Sequence, residues 1–238
     1  DAAFICGKAD STPILAQIAD EMLKKDGMAI SLQNGMGHAQ ALAHRLGRER
    51  TLGGITTHGA WRDDVGTHWV GRGSITLGSL DATVPSANAE RLIEILAQAG
   101  LSPEWSQDIH MTIWTKLLIN VAINPVCSIA GVRNGALLEV PELWTQAISA
   151  MSEAATVATA SGVDLSELDL EDLLREVAAN TADNRCSMLQ DIMAGRKTEV
   201  DHLCGAVVEM GELVGVPTPR NEMLQALVSA IEISSEFD

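Results

Sequence analysis

The stretch Ile113-Trp114-Thr115-Lys116-Leu117-Leu118-Ile119-Asn120-Val121-Ala122-Ile123-Asn124-Pro125 sets a lysine and two asparagines at intervals of four in an otherwise apolar run. At about 100° per residue, Lys116, Asn120 and Asn124 fall within about 80° of one another on a helix. One polar stripe therefore emerges from a segment apolar enough to be core. An ammonium and two amides aimed together suit a small polar ligand. Taken alone they suit a structural role equally well, because buried asparagines satisfy backbone groups and a lysine stem can lie on apolar surface with its ammonium in water.

Outward from this stretch the two sides differ. Upstream, Ala3 to Cys6 is a short apolar run ending at Gly7, Pro13 to Lys25 has helical periodicity, and Met28 to Leu32 is again strand-like. Asn34-Gly35-Met36-Gly37 closes that strand, and a helix follows over His38 to Leu46. Strand, helix, strand, helix in this rhythm is the βαβ pattern of a mostly parallel sheet. Leu52 to Ala60 continues as strand. Thr67 to Val70 and Ser74 to Leu77, joined through Gly71-Arg72-Gly73, predict a hairpin. Val84 to Ala99 predicts an amphipathic helix stopped by Gly100.

Downstream, nothing after about residue 108 has strand character. Pro141 suits the first turn of a helix ending at Gly162. Further helices are predicted over Ser166 to Asn180, Asn184 to Met193, from Glu199 with Thr198 as its cap, and from Pro217-Thr218-Pro219 to about Ile231. The expected fold class is α/β, part of an α/β domain followed by an all-helical domain, with the boundary near Ser102 to Gln107.

A length of 238 residues with 46% hydrophobic and 20% charged residues specifies a folded globular chain of one large or two small domains. No apolar run reaches the roughly 18 residues that span a bilayer, and no signal-peptide pattern is present. A net charge of −16 argues against nucleic acid, whose phosphates need clustered Lys and Arg. Cys6, Cys127, Cys186 and Cys204 contain no Cys-x-x-Cys pair, which fits reduced thiols in a cytoplasmic protein better than a zinc or disulfide framework. The six histidines lack metal-ligand spacing, and no Gly-x-Ser-x-Gly marks a serine hydrolase.

Seven short motifs then occur in order: Leu32-Gln33-Asn34-Gly35-Met36-Gly37; Thr57-His58-Gly59-Ala60; Trp114-x-Lys116-Leu117-x-x-Asn120-x-x-x-Asn124-Pro125; Arg133-Asn134-Gly135; Ser187-Met188-Leu189-Gln190-Asp191; Gly195-Arg196-x-Thr198-Glu199-x-Asp201; and Gly215-x-Pro217-x-Pro219-x-Asn221. With these motifs the chain resembles the ketopantoate reductase (2-dehydropantoate 2-reductase) family over nearly all its length. The resemblance implies reduction of 2-dehydropantoate to (R)-pantoate with NADPH, a step in pantothenate and coenzyme A biosynthesis. It implies a partial Rossmann-like, NADP-binding domain over residues 1–105 and an all-α substrate-binding domain over residues 106–238. It implies Lys116 as the general acid that protonates the carbonyl oxygen, with Glu199 holding the lysine charged. It implies Asn120, Asn124, Asn134, Ser187 and Gln190 as substrate-binding residues, and Lys8, Asn34, Ala60 and Glu199 as cofactor contacts. No metal is implied. The expected partner is a small keto acid, with neither nucleic acid nor membrane, and a homodimer is compatible with an oligomeric state that sequence leaves open.

Each residue has a plainer reading: Lys8 as a solvated turn residue, Asn34-Gly35 and Asn134-Gly135 as ordinary turns, Ser187 as a surface hydroxyl, Glu199 as a complement to a helix dipole. Their joint match to one reaction favours the functional reading. One departure stands out. No Gly-x-Gly-x-x-Gly occurs, and Asp1 corresponds by the resemblance to the fourth strand of the dinucleotide fold, so about 65 residues of a βαβ-containing unit are expected upstream. Without them the alternative is a non-catalytic ligand-binding or oligomerisation module; a related 2-keto acid reductase is a further one.

Overall fold

The computed structural model describes residues 1–62, 65–81 and 83–235. Two compact units are present, Asp1–Ile113 and Trp114–Asp238. The first contains β1 (Ala2–Ile5), α1 (Thr12–Met22), β2 (Met28–Ser31), α2 (His38–Leu46), β3 (Thr51–Thr56), β4 (Gly59–Arg62), β5 (Thr67–Gly71), β6 (Ile75–Ser79), α3 (Ala87–Gln98) and β7 (Pro103–Trp105). Its five-stranded sheet has the order β1-β2-β3-β6-β7. β1, β2 and β3 run parallel, and β6 and β7 form a second parallel pair reversed against β3.

Alternation along β2 places its residues on both faces. Met28 and Ile30 join Leu52, Ile75 and Leu77 beneath Ala89, Leu92 and Leu96 of α3. Ala29 joins Ile5 on the opposite face, under Ala16 and Ala19 of α1 and Leu42 and Leu46 of α2. A two-residue period thus becomes a sheet covered on both sides.

The hairpin predicted between Thr67–Val70 and Ser74–Leu77 does not form. β5 pairs instead with β4, Ala60 opposite Trp69, in a separate two-stranded sheet. β6 enters the main sheet beside β3, with Leu52 opposite Ser79 and Thr56 opposite Ile75. The cause is burial: Ile75 and Leu77 belong to the core beneath α3. Gly73 and Ser74 are also drawn toward β3, their amides donating to His58 Nδ1 (3.0 Å) and Thr57 Oγ1 (2.8 Å). α3 begins three residues later than predicted, where the Ser86 hydroxyl accepts the Ala89 amide.

The polar stripe lies on α4 (Ile109–Ala130), whose first turns rest on the sheet. Ile109 sits over the facing pair Gly53 and Gly78: a Cβ on Gly78 would come within 2.7 Å of Ile109 Cβ, and one on Gly53 within 2.9 Å of its Cγ1. Only glycines permit that approach. An 18-residue window of α4 has mean hydropathy 1.4, long and apolar enough to cross a membrane, which corrects the expectation that no run is. Of that window 61% is buried, as in a core helix.

The second unit adds α5 (Ala136–Glu139), α6 (Pro141–Ala160), α7 (Leu170–Asn180), α8 (Ser187–Met193), α9 (Val200–Val214) and α10 (Pro219–Ser235). α7 and α8 start later than predicted, at caps supplied by Asp169 and Cys186, and the short α5 was not foreseen. Along α6, Ala147, Ala150, Met151, Ala154 and Ala158 are buried. This stripe, alanine except for Met151, lies at helical spacing and faces the core of the unit.

Candidate active site

In the first unit the predicted cofactor residues begin at the carboxyl ends of neighbouring parallel strands. Lys8 follows β1 and is exposed; Asn34 follows β2 and is half-buried. Their loops are tied by a buried polar network the sequence did not reveal. Gln33 Nε2 donates to the Gly7 carbonyl (3.0 Å) and to Thr12 Oγ1 (2.9 Å). Thr12 Oγ1 lies 3.1 Å from His38 Nδ1, and His38 Nε2 donates to the Asn34 carbonyl (2.9 Å). Each contact spans residues far apart in sequence or a loop turn, so no local pattern could have disclosed the set.

Gly35 and Gly37 take φ of 91° and 82°, which lets the chain turn sharply into the N-terminus of α2. Above this turn is a narrow, open cleft of about 20 Å³, lined by Ser31, Gly35, Gly37, His38, Gly54 and His110. Glycines at strand carboxyl ends beside a helix N-terminus are the chemistry that the phosphates of a nicotinamide dinucleotide meet in this class of fold. Ala60 is exposed on β4, in the separate sheet.

In the second unit Lys116 is half-buried on α4, with Asn120 half-buried and Asn124 buried. Burial pushes the Lys116 pKa down from 10.5 to about 8, because the charged form is stripped of water. The Glu199 carboxylate, just ahead of α9, opposes that shift. Lys116 and Glu199 are thus brought into electrostatic contact from positions 83 residues apart in the chain (116 to 199).

Ser187 reaches the same face through its neighbour. Cys186 Sγ donates to the Asn124 carbonyl (3.6 Å), lies 3.4 Å from Ser128 Oγ, and accepts the Leu189 amide (3.5 Å). That thiol fastens the start of α8 to α4 beside Asn124. Ser187 is exposed in the first turn of α8, and Gln190 donates its amide to the Arg185 carbonyl (2.8 Å). Asn134 is buried; its Nδ2 donates to Thr181 Oγ1 (2.9 Å) and its backbone amide to the Asn184 carbonyl (3.0 Å). Its Oδ1 has no protein donor among the described residues.

An α/β unit opening a glycine-lined cleft at its strand ends, followed by helices presenting a lysine, a carboxylate and amides, defines a Rossmann-like, two-unit protein of the dinucleotide-binding class. Comparison with known proteins makes this specific. The family model described as ketopantoate reductase PanE/ApbA matches residues 1–82, and that of its C-terminal part matches residues 108–232. The chain belongs to the ketopantoate reductase family. It is 38% identical over 233 residues to a 2-dehydropantoate 2-reductase of Archaeoglobus fulgidus, an alignment covering 98% of this chain and 76% of that relative. Among solved structures, a PanE/ApbA family ketopantoate reductase from Ralstonia eutropha JMP134 aligns with a TM-score of 0.86 at 28% identity, covering 99% of this chain and 77% of its own. D-mandelate dehydrogenase in complex with NADH aligns with a TM-score of 0.90 at 27% identity, covering 98% and 80%.

Proposed function

We propose that this protein reduces the ketone of 2-dehydropantoate to (R)-pantoate with NADPH, the step in pantothenate and coenzyme A biosynthesis that its family relatives are named for. The observation that carries this reading is Lys116: half-buried on α4, aligned with Asn120 and Asn124, lowered to a pKa of about 8 and opposed in that shift by Glu199. An ordinary lysine gives up its proton reluctantly at neutral pH. One near 8 stays mostly protonated at pH 7 and is a far better donor.

NADPH, when bound, supplies the hydride that adds to the carbonyl carbon. Lys8, Asn34, Ala60 and Glu199 are the residues we assign to holding it. Lys116 Nζ donates a proton to the carbonyl oxygen as negative charge develops there, and Glu199 keeps the ammonium charged until then. Asn120 and Asn124 orient the hydroxyl and carboxylate groups without adding a competing charge, and Ser187 with Gln190 receives the carboxylate. Asn134 holds the 181–184 loop, and its Oδ1 is the acceptor left for a substrate hydroxyl. Four free cysteines support a cytoplasmic enzyme, and a net charge of −16 argues against nucleic acid as partner. The small keto acid is the partner we assign, with neither nucleic acid nor membrane.

The test is steady-state consumption of reduced nicotinamide by protein expressed from the complete reading frame, with Lys116→Ala beside wild type. Turnover of 2-dehydropantoate should fall about 10²–10⁴-fold in the variant while KM changes little. Equal loss in kcat and in binding would make the lysine structural. Because D-mandelate dehydrogenase shares the fold closely, phenylglyoxylate with NADH is assayed in parallel. A higher kcat/KM for that pair would replace ketopantoate with an aryl keto acid.

A further inference from the structure

We propose that Glu232, in the last turn of α10, is a positioning residue for the Lys116–Glu199 pair, acting by fixing the backbone from which Glu199 projects. The inference rests on the reading of Lys116 as the acid. Its starting point is the connection between α8 and α9. Residues 194–197 are exposed and Gly195 takes a positive φ of 60°, so burial does not hold that stretch in place. Glu199 nevertheless has to keep its carboxylate at a fixed distance from Lys116.

Two clamps supply the restraint. On the α8 side, the Arg196 amide donates to the Asp191 carbonyl (2.9 Å) and Arg196 Nε donates to Asp191 Oδ1 (3.0 Å). On the other side, the Thr198 amide donates to Glu232 Oε1 at 2.7 Å. Thr198 is buried and lies ahead of the first turn of α9, so its amide has no helical acceptor. A carboxylate is a strong acceptor for such an amide and is also favoured at a helix N-terminus. Thr198 completes the clamp by accepting the Val200 amide on its own hydroxyl (3.2 Å). The residues on both sides of Glu199 are therefore held, one of them from a helix 34 positions further along. Glu232 touches neither substrate nor the reacting atoms in this scheme; it acts through Thr198 on Glu199.

The titratable groups around this segment include Asp191, Arg196 and Lys197 before it, Asp201 and His202 in the first turn of α9, and Lys116 facing Glu199 from α4. Lys197 approaches Asp201 at 4.0 Å. Glu232 is itself anionic, so its charge and its role as acceptor have to be separated. Glu232→Gln keeps an acceptor oxygen and removes the charge. Glu232→Ala removes both, and alanine preserves α10 because it is the strongest helix former.

The experiment measures kcat, both KM values and the pH dependence of kcat for wild type, Glu232→Ala, Glu232→Gln and Lys116→Ala, all from the complete reading frame. A displacement of about 1 Å in a catalytic group can cost on the order of 10²-fold. A loosened loop should cost less, so about a 10-fold fall in kcat at saturating substrates is expected for Glu232→Ala, with the keto acid KM within about twofold and the cofactor KM raised, because Glu199 is also assigned a cofactor contact. Its alkaline limb should move to lower pH, because a wandering Glu199 supports the ammonium less. Glu232→Gln should restore kcat to within about twofold of wild type. Wild-type kcat in Glu232→Ala, a loss shared equally by Glu232→Gln, or a loss with an unmoved alkaline limb overturns the proposal. If Lys116→Ala alone keeps full turnover, the acid assignment falls and takes the proposal with it; if Lys116→Ala is impaired and Glu232→Ala is not, only the proposal fails.

Discussion

Replacing Glu199 by glutamine removes the one charge that opposes the depression of the Lys116 pKa while leaving size and hydrogen-bonding capacity nearly unchanged. In wild type the fall from 10.5 to about 8 is the result of two opposed effects: desolvation of the ammonium, which dominates, and attraction to Glu199. An opposite charge close to an ionisable group typically moves its pKa by about one to three. Taking the lower figure, the variant's Lys116 should titrate near 7. At pH 7.5 its charged fraction then falls from about three-quarters to about one-quarter, roughly a threefold loss in kcat. At pH 6 both forms are about nine-tenths charged or more, and the difference disappears. The assay is kcat at saturating keto acid and reduced nicotinamide between about pH 5.5 and 10. Saturation matters because Glu199 is also assigned a cofactor contact, and any weakened binding then stays in KM. A loss in kcat of the same size at every pH, or an alkaline limb displaced upward, would refute the account of Lys116 as an acid supported by Glu199.

Two further outcomes concern stability. Since Lys116 has a lowered pKa when folded, the unfolded chain binds more protons between about pH 8 and 10.5, so this residue's contribution to stability improves as pH rises through that window. Lys116→Met should therefore be more stable than wild type at pH 7 by about 1–3 kcal/mol, with the advantage gone near pH 10.5 in urea denaturation; a less stable variant at pH 7 would show that the ammonium is well solvated. Gly78→Ala should cost about 1–3 kcal/mol, because its Cβ would meet Ile109 Cβ at 2.7 Å, and Ile109→Ala in the same chain should recover part of the loss; additive losses in the double variant would mean the close approach is unimportant.

Much of the molecule is legible from local patterns because local physics fixes it. The apolar runs of β1 and β2 lie in the sheet near their predicted places, and Pro141 opens α6 while Gly162 follows its end. The interval of four that aligns Lys116, Asn120 and Asn124 follows from helix geometry alone. Family resemblance drew attention to Glu199 and Ser187, whose local sequences also suit a helix start and a surface hydroxyl. Strand pairing was less accessible. Period two says which face of β6 is apolar but not which strand lies beside it, and burial of Ile75 and Leu77 beneath α3 decided for β3 over β5.

What the sequence by itself determined, then, is the class of fold, the family and the chemical types gathered on α4, since periodicity, caps and motifs are properties of neighbours in the chain. Tertiary structure alone decided that burial lowers the Lys116 pKa to about 8, that Cys186 fastens α8 to Asn124, that Gln33 and His38 brace the loops bearing Lys8 and Asn34, and that Glu232 reaches back to Thr198. Desolvation and long-range hydrogen bonds depend on what surrounds a group in space, and residues tens of positions apart carry no local record of having met.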